Sequence, residues 1–192
     1  MKIEELQTRE RILLEAIDLI AENGFKETTV KDIAASASVS EMTVYRHFET
    51  KVNILEEAIQ RFSFAIPLNA MENKIAWELE KDLLLISRVY HEFVNANKKV
   101  LLIKFKEGQR VFNTDITESP RQLKTFLVGY FNQMQESGKM IHTDSETLAI
   151  SFIYMNLGFF CSTILGNERL TDKNFEEFLA GSVQLFARGL TP

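Results

Sequence analysis

Apolar residues along the chain recur at the spacing of α-helices, and alternation with a period of two is almost absent. In the first segment the apolar positions fall at i, i+3, i+4 and i+7, which predicts an amphipathic helix over residues 7–23. Gly24 supplies a left-handed cap at the end of this helix. The apolar positions that define the helix are Leu13, Ala16, Ile17 and Ile20.

Two short helices follow, and the break between them is too tight for one continuous helix. Thr29 begins the second helix with a capping box, and this helix ends at Ala37 after about two turns. After a Ser38-Val39 turn, Ser40 caps a third helix. This is the pattern of a helix-turn-helix, whose second helix can enter the major groove of DNA.

The third helix has one apolar face and one polar face. Val44 and Phe48 lie at i and i+4, and we expect both to face inward. The opposite face is polar and aromatic, as contact with a major groove requires. It carries Glu41, Met42, Tyr45 and Arg46, with Thr43 and His47 at its edges.

The rest of the chain predicts six more helices. They cover about 50–66, 69–96, 98–107, 119–138 and 143–165, and the last begins at Thr171. Pro67 ends the first of these helices, and Gly138 closes the fourth. The sequence therefore predicts an all-α fold of about nine helices.

The stretch TTVKDIAASASVSEMTVYRHFETKVNIL resembles the DNA-binding domain of the TetR (tetracycline-repressor) family of bacterial transcription regulators. The likeness covers roughly residues 8–58, and the T-V-x-x-I-A, V-S and T-V-Y-x-H-F elements fix many positions within it. The chain departs from the family at Ser38, where Gly is usual, and at Met42, where a small residue is common. A left-handed Ser38 would cost about 1 kcal/mol, and Met42 lies where a side chain would meet base edges.

The resemblance implies DNA contacts for individual residues. Thr29 and Lys51 would contact phosphates from the starts of the second and fourth helices, because free N–H groups there attract an anion. Arg46 could read guanine, Met42 could pack on a thymine methyl group, and Glu41 could accept from cytosine or repel phosphate. The full set of implied DNA-contacting residues is Thr29, Ser40, Glu41, Met42, Thr43, Tyr45, Arg46, His47 and Lys51.

The same resemblance implies two domains. Residues 1–51 would form the helix-turn-helix DNA-binding domain, linked by the helix over 50–66 to a helical effector-binding and dimerisation domain over 52–192. The last two helices would form a homodimer interface, although their apolar stripes also fit a core within one chain. The expected interface residues are Phe152, Leu157, Phe175, Phe178, Val183 and Phe186.

The effector implied by the resemblance is a small molecule held among the helices of the second domain. An aromatic cavity with few polar groups would suit a lipophilic compound, including a cationic one. Aromatic residues at helical spacing are more often plain core, and the sequence leaves both interpretations open. The candidates are Trp77, Phe105, Phe112, Tyr130, Met134, Tyr154 and Phe159.

Net charge is the main argument against DNA binding. Residues 1–51 carry seven Lys and Arg against ten Asp and Glu, and the whole chain has a net charge of −5, whereas DNA-binding domains are usually basic. The alternative is a helical ligand- or protein-binding module whose DNA binding is weakened or lost. The matched motif is more specific than net charge. We therefore predict a regulator that represses from a palindromic operator and is released by a small lipophilic ligand.

Catalytic and metal-binding patterns are not visible in the sequence. The three histidines, His47, His91 and His142, are far apart and match no metal-ligand spacing. Cys161 lies in an apolar run where a thiolate is disfavoured, and a single cysteine fits a reducing cytoplasm. The longest apolar stretch is interrupted by Asn156, so no membrane span is expected. We expect a cytoplasmic protein that uses no cofactor and is not an enzyme.

Overall fold

The computed structural model describes residues 7–108, 118–164 and 171–192. These residues form ten α-helices and no strand, which confirms the predicted all-α fold. The helices are α1 (Thr8–Asn23), α2 (Val30–Ser36), α3 (Glu41–His47), α4 (Lys51–Phe62), α5 (Leu68–Glu72), α6 (Leu79–Ala96), α7 (Lys98–Glu107), α8 (Glu118–Glu136), α9 (Ser145–Ile164) and α10 (Phe175–Leu190).

Side-chain caps fix the starts of α2, α3 and α4. Thr29, Ser40 and Thr50 each accept a hydrogen bond from a backbone N–H group in the first turn of the following helix. These bonds satisfy donors that have no partner within the helix. The last helix starts later than Thr171, because Asn174 forms the capping box that begins α10.

The single helix predicted over 69–96 is in fact two helices, α5 and α6, which raises the count from nine to ten in the described residues. Helix α5 ends at Glu72, and Trp77, with φ +58°, lies in the non-helical stretch just before α6. The carboxylate of Asp82 holds this turn, since it accepts hydrogen bonds from the N–H groups of Ala76 (2.8 Å) and Glu78 (3.0 Å). No glycine or proline marks the break in the sequence.

Contacts divide the described chain into two units. The first runs to Phe64 and resumes at Ala96, so it combines α1 to α4 with α7. Within it α1 packs against α2, α4 and α7. The functional boundary predicted at residue 51 is a different division, which remains a prediction. The side chains at the centre of the unit include Ile12, Ile20, Ile33, Val44, Leu55 and Ile59.

Helix α7 is bonded to the C-terminal end of α1. The Lys106 ammonium donates to the carbonyl oxygens of Ala21 (2.7 Å) and Glu22 (3.0 Å). The Glu107 carboxylate accepts from the Phe25 N–H at 2.8 Å. A positive charge beside the last carbonyls of a helix is favourable, because those groups carry the negative end of the helix dipole. A segment far along the chain thus completes the first unit.

The second unit consists of α5, most of α6, and α8 to α10. Helix α8 packs against α9, and the Phe152 ring of α9 meets the Phe186 ring of α10 edge to face at 5.7 Å. The buried side chains include Leu83, Ile86, Leu127, Phe131, Phe160, Leu179 and Val183.

Ser38 adopts the left-handed conformation, with φ +54°, in the turn between α2 and α3. We expect Ser38→Gly to raise the free energy of unfolding by about 0.5–1 kcal/mol, since relief of strain exceeds the extra entropy of the unfolded chain. Urea denaturation would measure the change. Ala35→Gly, at an exposed helical position of α2, is the control and should lose about 1 kcal/mol. A less stable Ser38→Gly protein would contradict the expectation.

Candidate DNA-binding surface and effector domain

Helix α3 presents the outward face that the sequence predicts. Val44 is fully buried and Phe48 is 4% exposed, so both anchor the helix from below. On the opposite side Met42 is 72% exposed and Tyr45 is 53% exposed, and Arg46 is exposed beside them. Large side chains at these positions contribute little to the core of the unit. They form a free surface of the size that a major groove accepts.

The turn between α2 and α3 holds the two helices at a fixed angle. Val39 donates its N–H to the Ala34 carbonyl at 2.9 Å, and Ser38 donates to the Ala35 carbonyl at 3.1 Å. Val39 itself is half-buried between the helices. These bonds set the direction in which α3 projects from the first unit.

Two arginines of α1, which the sequence analysis did not single out, brace the helix-turn-helix. Arg9 donates to the His47 carbonyl at 3.0 Å, pairs with Glu57 through two nitrogens, and lies 4.4 Å from the centre of the Phe48 ring. Arg11 donates to the Ala37 carbonyl at 3.2 Å. Each guanidinium therefore meets a carbonyl at the end of α2 or α3, where positive charge is favourable.

The Thr29 hydroxyl is used within its own helix cap. It accepts from the Asp32 N–H at 3.1 Å and donates to the Asp32 carboxylate at 2.5 Å. These bonds from the Thr29 hydroxyl and N–H hold the pKa of Asp32 below its usual value. A carboxylate that stays charged at this helix start competes with phosphate for the same positive end. The Thr29 N–H donates to the same carboxylate at 2.9 Å, so a phosphate would have to replace a bond to Asp32 to contact the Thr29 hydroxyl or N–H. The phosphate contact of Thr29 remains a prediction.

The Lys51 ammonium also lies within the fold. It donates to the carbonyl oxygens of Phe25 and Thr28, the second at 2.6 Å, and stands 4.2 Å from the centre of the Phe25 ring. Burial lowers the pKa of this ammonium, while the charges of Glu107 and Glu27 act in the opposite direction. The side chain joins the start of α4 to the turn that leads into α2.

Replacing Lys51 with methionine tests whether the side chain mainly stabilises the fold or mainly contacts a phosphate. We expect a loss of about 1–2 kcal/mol in the free energy of unfolding, because two carbonyls lose a charged donor at a partly exposed site. The salt dependence of DNA binding should change little, whereas loss of a phosphate contact would lower its slope by about 1 for each protomer. Lys31→Met, at an exposed position of α2, is the control. Unchanged stability with a reduced slope would instead assign Lys51 to phosphate.

Ion pairs neutralise part of the acidic surface of α1. Glu10 pairs with Arg61 of α4 at 2.5 Å, and Asp18 pairs with Lys99 of α7. Exposed pairs of this kind contribute little stability. They do change the electrostatic potential of the surface. Each paired acid has a positive charge beside it, so these acids repel DNA less than their number suggests.

The aromatic residues considered for effector binding separate into different places. Trp77, Tyr130 and Met134 come together around the α5–α6 turn, where the Trp77 and Tyr130 rings stack at 5.5 Å. Phe159 packs against Phe175 and Phe178 inside the second unit. The others do not join either group: Phe105 lies exposed on α7, Tyr154 is 65% exposed on α9, and Phe112 lies outside the described residues.

Several residues predicted at the dimer interface make contacts within the protomer, and the interface itself remains a prediction. Phe152 and Val183 are buried in the single protomer, so neither side chain can reach a partner directly. Phe175 stacks on His91 at 3.6 Å. Leu157, Phe178 and Phe186 are half-buried. The large apolar side chains that stay exposed in the described part of α9 and α10 are Ile150, Tyr154 and Leu185.

The residues that the structure describes hold neither a metal cluster nor a membrane span. These residues contain no cluster of three or more His, Cys, Asp or Glu side chains suited to a metal ion. In the same residues, no helix combines the length and the apolar character needed to cross a membrane. Burial raises the pKa of the Cys161 thiol, which disfavours its reactive thiolate form.

Comparison with known proteins identifies the family. Residues 12–58 match the family described as bacterial regulatory proteins, tetR family. A regulator of Bacillus subtilis (strain 168), named as the uncharacterized HTH-type transcriptional regulator YvkB, is 32% identical over 188 residues, which cover 96% of this chain and 97% of that protein. The chain belongs to the TetR family.

Solved structures of TetR regulators share the fold along almost the whole chain. The ketosteroid transcriptional regulator KstR2 of Mycobacterium tuberculosis has a TM-score of 0.69 at 20% identity, with 97% of this chain and 96% of that chain covered. AibR, solved with isovaleryl coenzyme A and operator DNA, has a TM-score of 0.64 at 20% identity, with 93% and 97% covered. This TetR-family chain is a helix-turn-helix regulator of transcription, as its sequence predicts.

Proposed function

We propose that this TetR-family regulator represses transcription as a homodimer on a palindromic operator and is released by a small organic effector. The observation that carries the proposal is the exposed face of α3, where Met42, Tyr45 and Arg46 project from a helix anchored by Val44 and Phe48. Met42 is 72% exposed, so packing against the described residues of the first unit does not account for a large apolar side chain at this position. In this proposal DNA bases are the packing partner of the exposed Met42 side chain.

Three exposed side chains of α3 have a matching group in the major groove. Arg46 would donate to a guanine, and Met42 would pack on a thymine methyl group. Glu41 would accept from a cytosine or exclude sequences that bring a phosphate too near. Phosphate contacts position the protein, and the base contacts supply specificity.

Two protomers are needed because one short helix reads only a half-site. A two-fold dimer places its recognition helices about 34 Å apart, one turn of DNA. We assign the dimer interface to α9 and α10, whose exposed Ile150, Tyr154 and Leu185 offer apolar surface for a second copy. An interface of this kind is self-complementary, as two-fold symmetry requires.

The effector would act by shifting a population between two spacings of the recognition helices. For a hundredfold loss of operator affinity, the effector must bind the released form about 2.7 kcal/mol more tightly. The site of action is the cytoplasm, where the DNA lies, and the proposed activity involves no catalysis and no cofactor.

The test is fluorescence anisotropy with the DNA that flanks the gene and with a scrambled control, at about 0.15 M salt to screen loose charge attraction. We expect tight binding to flanking DNA only, with an even number of protomers in each complex. Neutralisation of about six phosphates by a dimer would give a slope of log affinity against log salt of roughly −5. Equal binding to both DNAs would contradict sequence-specific repression. If neither DNA binds, selection from random sequences decides between a distant operator and a helix-turn-helix that has lost its function.

A further inference from the structure

A cleft of about 310 Å³ opens beside the turn between α5 and α6 in the second unit. Its walls include aromatic and aliphatic side chains with one acidic and one amide group, namely Trp77, Phe126, Tyr130, Ile75, Glu72 and Gln133. We propose that this cleft binds a small organic cation, one that joins an ammonium group to an apolar or aromatic body. The volume lies within the range of small-molecule sites in proteins.

The aromatic walls suit a cation because ring faces carry partial negative charge. Trp77 and Tyr130 stack at 5.5 Å with an angle of 20° between their planes. Trp77, Phe126 and Ile75 are half-buried and contribute to the surface of the cleft. An ammonium group next to these rings would lose water and gain contact with the ring faces.

The charges around the cleft have one sign. Among the described residues that line the cleft, Glu72 is the only ionisable side chain apart from the Tyr130 phenol, and none is a lysine, arginine or histidine. Behind the Tyr130 ring, the buried Asp82 carboxylate accepts from the Tyr130 hydroxyl at 2.9 Å. Burial, with the Asp82 charge beside it, raises the pKa of the Tyr130 hydroxyl, which therefore stays a neutral donor. Negative charge on Glu72 in the cleft and on Asp82 at the Tyr130 hydroxyl favours a cation and disfavours an anion.

The backbone conformation of Trp77 places its indole ring in the wall of the cleft. The residue has φ +58°, a conformation that is strained for a side chain of this size. The Asp82 carboxylate bonds the N–H groups on either side of it, from Ala76 and Glu78. Lys139 donates to the Trp77 carbonyl at 3.0 Å. A strained turn held from three directions is common at ligand sites, where position matters more than stability.

A second cleft on another side of Trp77 shows the contrast. Its volume is about 500 Å³, and both signs of charge line it, with Lys139 and Arg188 opposite Glu78 and Glu80. Mixed charge gives no preference for a free cation. Since the two clefts share Trp77 but use different acids, substitution of those acids can tell them apart.

The experiment uses Trp77 as its reporter, because it is the single tryptophan of the chain. The full-length protein is titrated with benzyltrimethylammonium, with benzyl alcohol as the neutral analogue, and with phenylacetate as the anion. We expect a saturable change of tryptophan fluorescence with the ammonium probe. The neutral analogue should bind at least about fivefold more weakly, by loss of the cation–π attraction, and phenylacetate should not bind.

Two matched variants locate the site. Glu72→Gln should weaken binding of the ammonium probe about fivefold, and Glu80→Gln, which removes an acid of the second cleft, should leave it unchanged. Both residues are exposed, so both variants should fold, and circular dichroism would verify this. Equal affinity for benzyl alcohol, or weakening by Glu80→Gln in place of Glu72→Gln, would overturn the assignment.

A regulatory role for the cleft rests on the proposed function, while cation binding does not. With the operator in hand, saturating benzyltrimethylammonium should lower DNA affinity at least about fivefold. Cation binding without any change in operator affinity would refute the regulatory role and leave the binding site intact. Failure to bind any DNA would instead refute the proposed function, and the fluorescence result would stand by itself.

Discussion

Asp82→Ala is expected to lower the free energy of unfolding by about 3 kcal/mol. The Asp82 side chain is 1% exposed and accepts three hydrogen bonds, from the N–H groups of Ala76 and Glu78 and from the Tyr130 hydroxyl. Without the carboxylate these three donors lose their charged partner, and each unsatisfied buried donor lowers the free energy of unfolding by about 1–3 kcal/mol. Partial access of water to the turn moderates the sum.

Urea denaturation followed by circular dichroism measures this loss, and Trp77 fluorescence reports whether the turn itself has changed. Tyr130→Phe removes only one of the three bonds and should cost about 1 kcal/mol. Glu80→Ala, at an exposed position in the first turn of the same helix, is the matched control and should stay within about 0.5 kcal/mol of the parent. An Asp82→Ala protein as stable as this control would show that the carboxylate does not hold the turn.

Arg46→Ala should weaken operator binding at least about 30-fold, since two half-sites each lose at least about 1 kcal/mol, and should leave stability nearly unchanged. Arg46 is exposed on α3, so its loss disturbs no packing, whereas a bidentate contact with guanine contributes about 1–3 kcal/mol of discrimination. A homodimer would lose this contact in both half-sites. The preference for one base pair in each half-site should relax as well.

Fluorescence anisotropy with the operator, with single-base variants of it and with scrambled DNA would measure both effects. Arg188→Ala, which removes an exposed arginine from α10 in the second unit, controls for the change in net charge. An equal loss on operator and scrambled DNA would assign Arg46 to phosphate. No loss on either would remove it from the interface.

The helix-turn-helix could be predicted from the sequence because its determinants are local. The caps at Thr29, Ser40 and Thr50 and the anchors Val44 and Phe48 lie within about twenty residues, and each acts on its own helix or the next. Short-range capping and helical periodicity carry this information in full.

The break between α5 and α6 could not be predicted, since its cause is not local. Apolar spacing continues across the turn without a glycine or proline. The bonds that hold the non-helical stretch before α6 come from Asp82, and Tyr130 on α8 donates a further hydrogen bond to this buried carboxylate. A pattern within one segment cannot show a bond to a residue almost fifty positions away.

The positions of the large side chains in the second unit also could not be predicted from local sequence patterns. Periodicity correctly marks α9 as apolar, but it does not say which neighbour each face meets. Phe152 and Phe159 of that helix turn inward to other rings, whereas Tyr154 stays 65% exposed. Lys51 is a related case, because its type and place fit a phosphate contact while its ammonium bonds the carbonyls of Phe25 and Thr28.

Because α7 packs on α1, the first unit cannot complete its fold during synthesis until α7 has been made. The residues of the helix-turn-helix leave the ribosome long before Lys106 and Glu107, which bond the end of α1 and the Phe25 N–H. At about 5–20 residues per second, the interval from Phe64 to Glu107 is roughly two to nine seconds. During that time the face of α1 that α7 covers is open to chaperones and proteases. A truncated messenger RNA, or proteolysis before α7, would therefore yield a helix-turn-helix in a first unit that lacks α7.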